Sequence, residues 1–75
     1  MKLSDLQPGQ ARRIMSVSAD REVRIRLIEM GFIPGMRVAV RSVDEASERM
    51  ELWVRGNNVM LQREEADCVR IEEGS

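Results

Sequence analysis

The sequence predicts a mostly β protein, a small barrel of about five strands with one helix. Three features predict it: short stretches in which apolar and polar residues alternate, one stretch with helical periodicity, and short turns between them. The chain has 75 residues, which is enough for a single domain, 1–75, and too few for a second hydrophobic core.

The chain begins with a turn and a first strand. Residues 3–6 predict a short turn that holds Leu3 and Leu6 against the barrel, and Pro8-Gly9 predicts a β-turn. Residues 10–17 predict strand one, although the alternation is imperfect. One face of this strand is expected to carry Arg13, Met15 and Val17, and the other face Ile14 and Ser16.

The stretch with helical periodicity runs from a cap at Ser18 or Asp20 to about Met30. Ile28 is expected to pack against a loop. Ile25 leaves two interpretations open, ordinary packing or an exposed contact surface. The core face of this helix is expected to consist of Val23, Leu27 and Met30.

A sharp corner joins the helix to strand two. Gly31 fits the left-handed residue that ends a helix, and Phe32 can fold back onto the last helical turn. Ile33 precedes a proline and is therefore expected to be extended, while Pro34-Gly35 fits the centre of a type II turn. These residues are expected to decide how the helix meets the sheet.

Alternation and turn residues predict the remaining elements. In strand three the aliphatic residues at every second position are expected to face the core, which places Trp53 outside. Gly56-Asn57-Asn58 predicts a tight turn, and residues 44–48 predict an acidic loop. The other expected elements are strands two to four at 37–43, 49–55 and 59–61, a helical turn at 63–67, strand five at 69–71 and a polar tail at 72–75.

Composition excludes several kinds of chemistry. The chain has 12 Lys and Arg against 13 Asp and Glu, a net charge of −1, whereas nucleic-acid-binding modules are typically basic. It has no histidine and one cysteine, Cys68, so neither a Ser–His or Cys–His pair nor a zinc site of four Cys or His ligands can form. We therefore predict no enzymatic activity, no cofactor and no nucleic-acid partner.

Acidic clusters are the remaining candidates for a metal site. Without histidine, a transition-metal ion would have only carboxylates, one thiol and thioethers as side-chain ligands. We expect both clusters to be solvated surface charge and predict no metal site. The two clusters are Asp44, Glu45 and Glu48, and Glu64, Glu65 and Asp67.

The sequence contains no pattern typical of membrane insertion. It has neither the charged and then apolar start of a signal peptide nor an apolar stretch of about 20 residues that could cross a bilayer. A single thiol is compatible with a reducing compartment. We expect a soluble cytoplasmic protein without direct membrane insertion.

The corner motif resembles the signature of a known family. Residues 27–38, LIEMGFIPGMRV, are similar to the signature of the FeoA family; residues 3–10 resemble its opening, and 54–56 and 61–66 its close. The resemblance implies an SH3-like β-barrel in a small cytoplasmic protein that accompanies the FeoB ferrous iron transporter. It also implies docking on the cytoplasmic part of that transporter.

Without catalytic groups, the function is expected to lie in a surface. Trp53, the only tryptophan, either contacts a partner or lies under the helix or a loop. The corner at 31–36 with Ile25 nearby is the second candidate, and an outward arginine pair is the third. The expected partner-contact residues are Trp53, Arg55, Ile25, Phe32, Arg37 and Arg41.

Three functions remain open. The resemblance favours a non-enzymatic accessory and regulatory protein of ferrous iron uptake, acting by protein–protein contact with the FeoB transporter. The alternatives are a stand-alone regulatory barrel related to the C-terminal domain of metal-dependent repressors, and an Sm-like nucleic-acid module, against which the balanced charge counts. Self-pairing through Ile25 and Trp53 would also allow a homo-oligomer.

Overall fold

A computed structural model describes residues 1–73 and confirms a mostly β fold. The last two residues of the predicted polar tail lie outside the described residues. All paired strands are antiparallel. The elements are a 3-10 turn at Leu3–Asp5, β1 at Ala11–Val17, α1 at Arg21–Glu29, β2 at Arg37–Asp44, β3 at Arg49–Val54, β4 at Asn57–Gln62, α2 at Arg63–Ala66 and β5 at Val69–Ile71.

The strands form one sheet in the order β4-β3-β2-β1-β5, which curves around an apolar core. Leu3 and Leu6 are fully buried, as the sequence predicts. Within residues 1–73 no polar or charged residue is buried, so the core is held by apolar packing. Neither α1 nor α2 is long and apolar enough to cross a membrane.

A β-bulge between Ile14 and Ser16 explains the imperfect alternation of β1. The extra residue reverses the faces that follow it, so Val17 pairs with the buried Val69 and packs against the core. The prediction that Val17 shares a face with Met15 is therefore wrong, because period-2 alternation does not continue through a bulge.

Helix α1 ends in the motif that the sequence predicts. The amide of Phe32 donates to the carbonyl oxygen of Leu27 at 3.0 Å, and the amide of Gly31 donates to the carbonyl oxygen of Ile28 at 3.0 Å. These two hydrogen bonds form the Schellman pattern. Gly31 has φ +112°, and Phe32 and Leu27 are both fully buried. At the other end Asp20 occupies the N-cap position without a side-chain hydrogen bond.

The turn between β3 and β4 differs from the prediction. Arg55 and Gly56 form its two central residues, with φ of +54° and +78°, as in a type I′ hairpin. Asn57 and Asn58 belong to β4, where they pair with Val54 and Trp53. The predicted turn at Gly56-Asn57-Asn58 is therefore displaced by one residue, because pairing along the whole hairpin places Arg55 in the left-handed region.

The acidic loop between β2 and β3 is closed by Asp44. Its carboxylate accepts hydrogen bonds from the amides of Ala46 at 3.1 Å and Ser47 at 3.4 Å. Hydrogen bonds from Ser47, its side chain first, hold the pKa of Asp44 below the ordinary value of 3.8. The stabilisation of the folded state by these hydrogen bonds to Asp44 is therefore complete above pH 3.8. It is lost as the pH falls through the lower pKa that Asp44 has in the folded state.

Contact between Gly31 and Arg55 joins the helix end to the β3–β4 turn. A Cβ at Gly31 would lie 3.0 Å from Cδ of Arg55, and φ there is +112°. We expect Gly31→Ala to lower the free energy of unfolding by about 1–2 kcal/mol, measured by chemical denaturation. Gly35→Ala is the matched control, since Gly35 has φ +91° and no atom within 4 Å of the same position. Equal losses for the two variants would contradict a role for the Arg55 contact.

Candidate protein-contact surface

Trp53 lies on the outer face of β3, and its side chain is 40% exposed. Its cross-strand neighbours are Ala39 on β2 and Asn58 on β4, and Ala39 in turn faces Ala11 on β1. These side chains are small and leave part of the indole exposed to solvent. The interpretation that Trp53 lies under the helix or a loop is therefore wrong.

Arg41 packs its guanidinium over the indole of Trp53. The guanidinium carbon is 4.7 Å from the centroid of the ring. A cation–π contact at an exposed site contributes about 0.5–1 kcal/mol, which is enough to favour one orientation of both side chains. The pair presents a flat apolar surface beside a positive charge. We call Trp53, Ala39, Arg41 and Arg37 the tryptophan patch.

Further arginines line one side of the tryptophan patch. Arg13 and Arg37 form an arginine row, directly opposite one another on β1 and β2. Arg55 lies in the turn after β3, with its side chain against Gly31. Arg13 donates to the carbonyl of Gly35 at 2.9 Å. Like charges at opposed positions destabilise a sheet. This row therefore favours an acidic partner surface, which would relieve the repulsion.

Ion pairs of the described residues lie away from the tryptophan patch. Arg26 pairs with Glu65, Lys2 lies 3.8 Å from Asp67, and Arg63 lies 3.5 Å from Glu45. Within residues 1–73, Arg37, Arg41 and Arg55 have no such acidic partner. Their charges are therefore available to a group outside the chain.

A second exposed apolar surface lies on α1. Ile25 and Ile28 are 43% and 38% exposed, and they are neighbours at i and i+3 on the helix. The predicted burial of Ile28 against a loop is wrong, because only the side of α1 that carries Leu27, with Val23 and Met30 beside it, packs on the core. Ile25 is exposed, and its contact with a partner stays a prediction. We call Ile25 and Ile28 the helix strip.

The structure separates the six candidate contact residues. It brings Trp53 and Arg41 together and leaves Ile25 on the helix, apart from the sheet. Phe32 is fully buried, so its expected contact with a partner is wrong: the side chain packs into the core to complete the helix end. The sequence analysis missed Arg13 as a member of the arginine row, because the pairing of β1 with β2 is not readable from alternation alone.

Metal-binding geometry is not formed by the described residues. Within residues 1–73 no group of three or more His, Cys, Asp or Glu side chains is placed to hold a metal ion. Cys68 is half-buried, with its Sγ 3.5 Å from the carbonyl oxygen of Glu64.

Sequence comparison gives one family and two curated relatives. The family model described as the FeoA domain matches residues 1–73. A Fe(2+) transport protein A/Fe(2+) transporter FeoB fusion protein of Porphyromonas gingivalis is 31% identical over 72 residues, which are 96% of this chain and 8% of that protein. A mitochondrial pentatricopeptide repeat-containing protein of Arabidopsis thaliana is 26% identical over 58 residues, 77% of this chain and 12% of that protein. The chain therefore spans a small part of both relatives.

Solved structures share the fold. The solution structure of the FeoA protein from Chlorobium tepidum is 30% identical with a TM-score of 0.87, covering 95% of this chain and 68% of that one. The crystal structure of Stenotrophomonas maltophilia FeoA with zinc, described as a prokaryotic SH3 domain protein, is 26% identical with a TM-score of 0.85. The match covers 96% of this chain and 89% of that one. A manganese-dependent transcriptional repressor is 17% identical with a TM-score of 0.88, and the match covers 95% of this chain and 39% of that one. At this identity the likeness concerns the fold alone.

Proposed function

Because the chain belongs to the FeoA family, we propose that it is a non-enzymatic accessory protein of ferrous iron uptake. It acts in the cytoplasm by contact with the cytoplasmic part of a FeoB-type transporter. The Porphyromonas gingivalis relative supports the partner, since its name joins transport protein A and the transporter in one chain. Covalent linkage holds two domains at a high effective concentration, which suits partners that must meet.

One observation carries the contact mechanism: the tryptophan patch exposes an indole on β3 and, on β2, two arginines that have no ion pair within residues 1–73. Trp and Arg are the residues most enriched at the energetic centres of protein interfaces. Strands position such side chains more rigidly than loops do. The partner surface is therefore a shallow apolar site rimmed by carboxylates, which would receive the Trp53 ring and pair with Arg37 and Arg41.

The repressor-like and nucleic-acid alternatives have less support. The likeness to the manganese-dependent repressor lies at 17% identity and concerns the fold. Within residues 1–73, α1 is the one helix longer than a single turn, so no helix-turn-helix is formed. The net charge of −1 is unlike that of an Sm-like nucleic-acid module.

A fluorescence titration tests the proposal. The chain has one Trp and no Tyr, so its emission reports on Trp53. We expect a Trp-free version of the cognate transporter's cytoplasmic region to give a saturable blue shift, because docking would remove water from the half-exposed ring. Calorimetry on the same pair is the independent measurement. No binding by either method would overturn the partnership, whereas calorimetric binding with unchanged emission would move the contact away from the tryptophan patch.

A further inference from the structure

We propose that the free edge of β4 pairs in antiparallel fashion with β4 of a second copy of this chain. Strand β4 is the terminal strand of the sheet: one edge pairs with β3, and no strand within residues 1–73 pairs with the other. A free edge presents unpaired backbone N–H and C=O groups, which are a template for another strand.

The two edges of the sheet differ in whether another segment of the chain covers them. The edge of β5 is covered by the start of the chain: Lys2 forms a bridge with Arg70, and the amide of Ile71 donates to the carbonyl of Met1 at 2.9 Å. No such cover is found for β4 among the described residues. Proteins commonly protect a free edge with charges, proline or a bulge. Strand β4, with the sequence NNVMLQ, has none of these, and its register with β3 is unbroken.

The two-residue turn determines which backbone groups of β4 are free. In such a hairpin Val54 and Asn57 bond to each other, and bonding then alternates along the strand. The groups of Asn58, Met60 and Gln62 therefore point to the open edge. The amide of Gln62 is already occupied, because it donates to Oε1 of Glu65 at 2.9 Å. Asn58 and Met60 are left to bind another strand.

These free groups are self-complementary. A two-fold axis at Val59 sets Asn58 of each copy opposite Met60 of the other, and both residues then donate and accept across the axis. Centring the axis on Met60 would need the occupied amide of Gln62. Centring it on Asn58 would pair Met60 with Gly56, which belongs to the turn. One register therefore uses all the free groups.

Charge is compatible with the same arrangement. Strand β4 is neutral, so two copies approach without repulsion along the strand. The register centred on Val59 sets Arg55 of one copy level with Arg63 of the other, and the charge of Arg63 is offset by Glu45 at 3.5 Å. Pairing also covers Met60, which is 55% exposed. One strand pair is a small interface, so the dimer is weak and depends on concentration.

Edge substitution tests the proposal. Met60→Lys places two lysines diagonally across the axis, about 7–8 Å apart, and we expect it to raise the dimer dissociation constant about tenfold or more. Sedimentation equilibrium of the full chain over a concentration series measures this. Met15→Lys is the matched control, since Met15 is 59% exposed on β1 and away from the edge of β4. Equal effects of the two substitutions would overturn the proposal.

Amide hydrogen exchange of the unmodified chain gives a second test that needs no variant. We expect the amides of Asn58 and Met60 to gain protection as the concentration rises, while Val59, already bonded to β3, changes little. A monomeric mass at every concentration would overturn the proposal. If the transporter's cytoplasmic region protected these two amides in a chain that stays monomeric alone, the edge would bind an extended segment of that partner, and self-pairing would again be overturned.

Discussion

Replacing Phe32 by alanine is expected to lower the free energy of unfolding by about 3–5 kcal/mol. Phe32 is fully buried and belongs to two structures at once, the apolar core and the Schellman end of α1. Truncation would leave a cavity and remove the side chain that packs beside Leu27. The free energy of unfolding of a protein domain is only about 5–15 kcal/mol. Much of the variant protein would therefore be unfolded at moderate urea concentrations.

Urea denaturation followed by circular dichroism measures this loss. Trp53 emission is a second probe, and coincident transitions would support two-state unfolding. Ile25→Ala is the control: Ile25 is an apolar residue on the exposed side of α1, and its truncation should change stability by about 0.5 kcal/mol or less. A loss for Phe32→Ala as small as that of the control would contradict the burial of Phe32 and the closing of the helix by its side chain.

Replacing Trp53 by alanine is expected to weaken binding to the transporter's cytoplasmic region by about 30-fold or more, which corresponds to about 2 kcal/mol. The substitution removes the exposed indole and also the surface that orients Arg41. Calorimetry measures the change without depending on tryptophan emission. Trp53→Phe should bind more tightly than Trp53→Ala, because a smaller aromatic face still contacts the guanidinium.

The fold of the Trp53 variants must be shown to be intact. Trp53 faces outward beside small residues, so its truncation leaves no core cavity, and the unfolding transition should stay close to that of the original chain. Ile25→Asp on the helix strip is the comparison for location. Unchanged affinity in Trp53→Ala together with lost affinity in Ile25→Asp would assign the contact to the helix strip and contradict the tryptophan patch.

Local sequence patterns determined much of this fold. Gly31, Phe32 and Pro34-Gly35 specify the helix end and the turn after it, because each acts through backbone geometry that a few neighbouring residues decide. The alternation in β3 placed Trp53 outside for a similar reason: the aliphatic residues between its outward positions had to fill the core. The absence of histidine limits the chemistry of the chain in any fold, because no arrangement of the backbone can supply an imidazole.

Only the tertiary structure decided what covers each outward residue. Ile28 is 38% exposed because no loop within residues 1–73 covers that side of α1, and Val17 turns inward because β1 contains a bulge. Arg55 adopts the left-handed turn position because the pairing of β3 with β4 requires it. Such features depend on contacts between segments distant in sequence, and a pattern of near neighbours does not contain them. The arginine row and the free edge of β4 arise in the same way, from strand order and register.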